Sequence, residues 1–281
     1  MFDKVLYATD FSDQSRRIIE CMCEIPGAQE LVILHVIDAK RLEYWEDREN
    51  VMVTKAENMM EEMKSSLITP GKAVKTRVAV GIPSSEILRS ADEECSSLIV
   101  MAARGKSLIK GMLLGSTSSE VLRYSTTSML LMRYKIIEGL AGDVYEKFCE
   151  RTFSRILCPV KSIYDTEKTV SLIKGLPRPD RLVLLHVVDR GETKEQIEDL
   201  VKTANNRLTV IKEQLVLEGY SVDHHVHIGD PSGEINRAAE GGDVSLIVLD
   251  AREHHEAGGI RAGSITEHIA RSAKRPVLVV K

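Results

Sequence analysis

Short, almost wholly apolar runs alternate along this chain with longer stretches in which apolar residues recur every three or four positions. In the first half the apolar runs Lys4–Thr9, Leu31–Val36, Val74–Val80, Ser97–Met101 and Ser128–Met132 predict strands. The amphipathic stretches Asp13–Cys23, Val51–Leu67, Ser84–Glu93 and Ser116–Tyr124 predict helices between them. Strands with few polar interruptions, each followed by a helix, belong to a parallel sheet covered on both faces. The second half reads alike, with strands at Arg155–Val160, Arg181–Val187, Val222–Ile228, Ser245–Leu249 and Pro276–Val280 and a long helix at Val201–Leu217. Tyr134–Phe153 matches neither half and reads as a linker, with a short helix over Asp143–Arg151.

The likeness of the halves extends to individual residues. Leu34-His35-Val36-Ile37-Asp38 returns as Leu185-His186-Val187-Val188-Asp189, an offset of 151 positions. Gly81-Ile82-Pro83-Ser84-Ser85-Glu86-Ile87 returns as Gly229-Asp230-Pro231-Ser232-Gly233-Glu234-Ile235, an offset of 148. Ser97-Leu98-Ile99-Val100 and Gly115-Ser116 recur at that same offset as Ser245-Leu246-Ile247-Val248 and Gly263-Ser264. The sequence therefore reads as two α/β domains, residues 1–134 and 154–281, joined by residues 135–153. The 281 residues give each copy a length at which it can build its own core.

Composition narrows the partners. Hydrophobic residues make up 43% and charged residues 28%, as in ordinary globular proteins. A formal net charge of −4 gives no drive toward nucleic acid or an anionic membrane. No apolar stretch nears the roughly 20 residues that span a bilayer, and the start, with Asp3 before a short apolar run, is neither a signal peptide nor an anchor. The five cysteines are scattered and odd in number, which fits a reducing cytoplasm better than a disulfide framework.

Ligands of an open parallel sheet sit beyond the carboxyl ends of its strands. Here those ends carry Ala8-Thr9-Asp10 after the first strand, Val36-Ile37-Asp38 after the second, and Met101-Ala102-Ala103-Arg104-Gly105 after the fourth. After nine further residues beyond Gly105, Gly115-Ser116-Thr117-Ser118 opens a helix. A helix start offers unpaired N–H groups and the positive end of a dipole, and glycine lets a phosphate come close. Asp10 faces a bare phosphate poorly and suits a ribose hydroxyl or a bound Mg2+. Arg104, Lys106 and Lys110 add positive charge.

At these residues the chain resembles the universal stress protein family. That family's pattern is glycine, two residues, glycine, nine residues, then glycine and serine or threonine, with a proline-threonine-aspartate-like turn after the first strand. The resemblance covers both halves nearly end to end. It implies an α/β fold of two repeated domains, each a five-stranded parallel sheet with helices on both faces (Rossmann-like, adenine nucleotide alpha-hydrolase-like). It also implies an adenine nucleotide (AMP, ADP or ATP, with or without Mg2+) in the first copy. Val36 then lies near the base and Asp10 at the ribose or the metal. Ala8, Thr9, Met101, Ala102, Arg104, Gly105, Gly115, Ser116, Thr117 and Ser118 complete the cofactor-binding set, with Gly105, Gly115, Ser116 and Ser118 around the phosphates. The family's last strand often builds a dimer. In a tandem chain Ser128–Met132 and Pro276–Val280 are placed to pair the two halves, and a homodimer of the whole chain stays open.

The departures from the pattern are specific. Ala8 stands where proline is usual, and Ala102 replaces the first glycine, whose extra methyl leaves AMP and ADP open beside ATP. In the second copy Lys161 takes the place of Asp10, and Asp250 and Glu253 take the two loop-glycine positions. Two carboxylates about 6 Å from a phosphate each oppose it by roughly 2–3 kcal/mol at an effective dielectric near 20. The second copy is therefore expected not to hold a nucleotide in the family manner.

Other motifs read as structural. Gly105-Lys106-Ser107 looks like the tail of a P-loop, but Val100 stands where the first glycine belongs. His35 and His186 read as structural histidines, and His224, His225 and His227 as an exposed edge, with a metal site as the alternative. No Ser-His-Asp signature, zinc framework or His-x-Gly-His motif accompanies the phosphate constellation. The function read from the sequence is a nucleotide-binding regulatory or stress-response module, with the loop Ala102–Leu114 and the Trp45-containing segment Lys40–Asn50 as its movable parts. A slow Mg-dependent ATP hydrolase that uses Asp10 is the second reading, and an interaction scaffold without ligand the third.

Overall fold

The computed structural model describes residues 2–22, 25–41, 48–65, 67, 71–104, 114–139, 142–147, 151–161, 163–251, 255–256, 259–260 and 263–281. The first copy runs β1 (Lys4–Thr9), α1 (Asp13–Met22), β2 (Glu30–Asp38), α2 (Arg48–Ser65), β3 (Ala73–Gly81), α3 (Pro83–Glu93), β4 (Leu98–Ala102), α4 (Ser116–Tyr124) and β5 (Ser128–Met132). After a ribbon of β6 (Lys135–Gly139) and β7 (Gly142–Glu146), the second copy runs β8 (Arg155–Pro159), α5 (Thr166–Lys174), β9 (Arg181–Val188), α6 (Lys194–Leu217), β10 (Val222–Ile228), α7 (Pro231–Gly241) and β11 (Leu246–Asp250). It closes with β12 (His255–Glu256), β13 (Gly259–Ile260), α8 (Ser264–Ser272) and β14 (Val277–Val280). The chain divides into two compact units, Met1–Tyr134 with Ala251–Gly263 and Val279–Lys281, and Lys135–Asp250 with Ser264–Leu278.

Strand order in the first copy is β3-β2-β1-β4-β5, and in the second β10-β9-β8-β11-β14. The registered pairs within each copy are parallel, including Thr9↔His35, Ala8↔Met101 and Ala102↔Met132 in the first. β4 and β5 are buried along their whole length, as strands covered on both faces must be. The helices bury one stripe each. In α6 the buried residues are Ala204, Leu208, Ile211 and Leu215, spaced by three and four.

The repeated motifs hold equivalent places in the frame. Ser97 Oγ donates to the Lys4 carbonyl at 2.9 Å and accepts from the Lys4 N–H at 3.2 Å, which ties β4 to the start of β1. Ser245 makes the same pair of bonds with Arg155, both at 2.9 Å. The Gly-x-Pro turn places Pro83 and Pro231 in the first turn of α3 and α7, where a missing N–H costs nothing. Gly229 has φ +143°, and a Cβ there would lie 3.2 Å from Glu234 Oε1. At Gly81 a Cβ would lie 2.8 Å from Glu86 Cγ. Each glutamate folds back over its glycine and pairs with the arginine one turn on, Glu86 with Arg89 and Glu234 with Arg237.

Two expectations are corrected. The linker does not form the helix expected over Asp143–Arg151: Gly142–Glu146 is a strand, paired antiparallel with Lys135–Gly139 through Ile136↔Tyr145 and Ile137↔Val144. The β-branched and aromatic residues at those positions favour strand over helix. The long helix of the second copy begins at Lys194, seven residues before the expected Val201. Ile197 and Leu200 in its first two turns continue the three-and-four spacing of Ala204 and Leu208 among polar neighbours, and Thr193 caps the start by accepting from the Gln196 N–H at 3.2 Å.

Replacing Ser245 by alanine leaves the Arg155 N–H and the Thr152 carbonyl without this partner in a buried setting. The expected loss is about 1–3 kcal/mol of unfolding free energy in a denaturant titration. The half-buried Ser97→Ala change is expected to cost less.

Candidate functional site

Beyond Thr9 the chain turns within three residues, and side chains fix the turn. Phe11 has φ +58°, a left-handed conformation that costs a non-glycine residue about 1–2 kcal/mol. The Phe11 N–H donates to Thr9 Oγ1 at 3.1 Å, and the Ser12 N–H donates to Asp10 Oδ1 at 3.0 Å. Below the turn Thr9 Oγ1 lies 3.0 Å from Ser15 Oγ, which also reaches the Ser12 carbonyl at 3.0 Å. The Tyr7 hydroxyl donates to the Ser15 carbonyl, and burial pushes the Tyr7 phenol far above its ordinary value. The start of α1 is thus bonded to the end of β1.

The neighbouring strand completes the turn's support. His35 Nδ1 lies 2.8 Å from the carbonyl oxygen of Thr9, its register partner on β1. A carbonyl only accepts, so Nδ1 carries the proton. The Phe11 ring packs on the His35 ring, with centroids 4.1 Å apart and planes tilted by 32°. Val36 follows, half-buried near the end of β2.

The third component is the end of β4. Met101 and Ala102 are buried, and the Ala103 N–H donates to the Met132 carbonyl at 2.9 Å. The Gly115 N–H returns to the Ala103 carbonyl at 2.7 Å, so α4 starts at the end of β4 although thirteen residues separate the two in sequence. The Ser118 hydroxyl is 3% exposed and donates to the Ala102 carbonyl at 3.0 Å. Ser118 therefore docks α4 onto the strand and offers its backbone N–H, rather than its hydroxyl proton, to the helix start. Among the described residues no side chain caps α4, whose N-cap is Gly115. The first N–H groups of a helix have no intrahelical acceptor, so this end presents donors and a positive dipole. Ser116 is exposed and Thr117 half-exposed. Arg104 is half-buried, and Arg133, just past β5, is buried. Burial, with the charge of Arg104 added, pulls the Arg133 guanidinium down to about 9.

Ala8, Thr9, Asp10, Val36, Met101, Ala102, Arg104 and Gly115–Ser118 thus stand at the carboxyl ends of the adjacent strands β1, β2 and β4 and at the start of α4. Gly105, Lys106, Lys110 and Trp45 lie outside the described residues, as does most of both expected movable segments. The sequence reading treated His35 as a structural group and passed over Phe11, Ser15 and Tyr7. The signal for His35 was present in the repeated Leu-His-Val run.

The second copy keeps the frame and changes the chemistry. His186 Nδ1 lies 2.8 Å from the Val160 carbonyl, as His35 does from Thr9. The next residue is the exposed Lys161 rather than an aspartate, and Asp250 ends β11. Glu253 lies outside the described residues. On β10, His227 Nδ1 is bonded to Glu234 Oε2 at 3.0 Å. Among the described residues no group of three or more His, Cys, Asp or Glu side chains could hold a metal ion, and no helix is long and apolar enough to cross a membrane.

A doubly wound parallel sheet, repeated, with a helix start facing the switch between β1 and β4, defines the class. The sequence profile described as the Universal stress protein family matches residues 1–133 and again 152–281, and the chain belongs to that family. It is 30% identical over 157 residues to Universal stress protein MJ0577 of Methanocaldococcus jannaschii, spanning 48% of this chain and 97% of that one. To Universal stress protein YxiE of Bacillus subtilis it is 32% identical over 148 residues, spanning 47% of this chain and 100% of that one. A crystal structure of a universal stress protein from Archaeoglobus fulgidus superposes with TM-score 0.72 at 25% identity, covering 99% of this chain and 96% of that one.

Changing Thr9 to valine removes the acceptor for the Phe11 N–H and the partner of Ser15. Because these groups are buried, the expected cost is about 1–3 kcal/mol by chemical denaturation, with the reverse change in Ser15→Ala smaller because Ser12 and Ser15 retain backbone partners.

Proposed function

We propose that the first copy binds one adenine nucleotide and that the protein acts as a regulatory, stress-response module of the cytoplasm. The observation that carries this reading is the uncapped start of α4, held at the end of β4 by Ser118 and Gly115. It supplies N–H donors and a positive dipole end for a phosphate, and Arg104 adds a cation. The Asp10 turn stands on the neighbouring strand and offers a carboxylate to a ribose hydroxyl or to Mg2+ arriving with the nucleotide. Val36, near the end of β2, takes the side of the base. Family membership supports this assignment of parts.

The second copy, with Lys161 for Asp10 and carboxylates at both loop-glycine positions, does not take a nucleotide in the same way. The two copies therefore divide the work. One senses a nucleotide, and the other contributes a surface or a ligand of different chemistry.

Titration calorimetry with AMP, ADP and ATP is expected to give one site per chain for at least one of them. Asp10→Ala is expected to lower the affinity roughly 10- to 100-fold, the worth of a hydrogen bond to a charged group. Saturating nucleotide at about 100 times Kd should stabilise the chain by roughly 2.7 kcal/mol in thermal unfolding. No heat and no stabilisation with any of the three would overturn the reading. Phosphate release from ATP is expected at the buffer rate. Release that drops on Asp10→Ala would instead identify a slow hydrolase.

A further inference from the structure

We propose that His35 is a positioning residue for the nucleotide site: by holding the Thr9 carbonyl and the Phe11 ring together it sets the direction of the Asp10 carboxylate. The inference rests on the nucleotide reading of the first copy and assigns control of its affinity to a residue on the next strand.

The turn has three adjustable parts, each with a restraint, and the Phe11 backbone is also held by its N–H bond to Thr9 Oγ1 at 3.1 Å. The plane of the Thr9–Asp10 peptide is fixed by the His35 Nδ1–H bond to the Thr9 carbonyl at 2.8 Å. The left-handed backbone of Phe11, which sends the chain back toward α1, is held by the packing of its ring on His35 at 4.1 Å. The side-chain torsion of Asp10 is held by the Ser12 N–H on Oδ1 at 3.0 Å. The bond to the Thr9 carbonyl and the packing of the Phe11 ring both pass through one imidazole. A left-handed phenylalanine persists only where its surroundings over-determine it, so loss of the imidazole frees the turn to relax and Asp10 to swing. The donor is Nδ1–H, which is present in the neutral and the protonated ring alike, so the restraint does not depend on pH.

The chain carries its own control. His186 makes the same bond to Val160 at 2.8 Å, but the residue after it is Lys161, and position 162 is a serine with no ring to pack. Loss of the imidazole in the second copy removes the strand-to-strand bond and nothing that aims a carboxylate.

The test compares His35→Leu, His35→Asn and His186→Leu in the full chain. The readouts are thermal unfolding, AMP and ATP affinity, and hydrogen exchange of the Ser12 amide without nucleotide. His35→Leu and His186→Leu are expected to lower the unfolding temperature alike. Only His35→Leu is expected to weaken nucleotide binding, by about tenfold or more, and to speed Ser12 exchange. Asparagine places an N–H near the position of Nδ1 but no ring under Phe11, and His35→Asn is expected to recover part of both. Phe11→Leu, which keeps the imidazole bond and removes the stacked ring, should give an intermediate loss and serves if His35→Leu fails to fold. Wild-type affinity and wild-type Ser12 exchange in His35→Leu, beside an unfolding shift equal to that of His186→Leu, would overturn the proposal while leaving the nucleotide reading intact. Faster Ser12 exchange in a chain that takes no nucleotide would keep the positioning role and remove the nucleotide reading.

Discussion

The site depends on β1 lying between β2 and β4 in a parallel sheet. Parallel pairing brings all three carboxyl ends to one edge. The connections from β1 and from β4 leave toward opposite sides, which opens a crevice where the strand order turns. Everything chemical in the first copy is a consequence of where that crevice falls. The Asp10 turn stands on one of its walls and the start of α4 on the other, and neither could meet a common ligand if β1 were an edge strand.

The frame and the chemistry are held by different residues, and duplication makes the separation visible. Ser97 and Ser245 tie β4 and β11 to the first strand of their copies, His35 and His186 tie the second strand to the end of the first, and Glu86 and Glu234 fold over the glycine of the Gly-x-Pro turn. The serine and histidine bonds are buried or half-buried, so their loss leaves a partner unsatisfied and costs stability in either copy. Asp10 and Ala102 are not among these shared ties, and in the second copy Lys161 and Asp250 stand at their positions while the fold is kept.

This separation explains what was legible in the sequence. Strand positions, copy number and the edge where the strands' carboxyl ends gather follow from burial, and burial leaves a periodic trace. Residues such as Leu98–Ala102 and Ala204, Leu208, Ile211 and Leu215 write that trace plainly. The first turns of α6 carry only Ile197 and Leu200 among polar residues, and the ribbon of β6 and β7 is too short for a period to show. Capping by Thr193 and strand pairing through Gly139↔Gly142 are single local events. The support of the Asp10 turn escaped for another reason. It is assembled from Tyr7, Thr9, Phe11, Ser15 and His35, residues of three elements that no spacing rule connects.

Ser118 shows why a motif names positions better than it names roles. Read as a string, Gly-Ser-Thr-Ser offers three hydroxyls to a phosphate. In the fold the third is turned inward, and its proton goes to the Ala102 carbonyl. That bond does more for an anion than a third surface hydroxyl would. A hydroxyl at the rim competes with water for each phosphate oxygen, whereas an anchored helix start keeps several backbone donors and the helix dipole in one fixed place. The buried serine thus fixes the start of α4, much as the His35 bond to Thr9 ties the aspartate turn to the next strand.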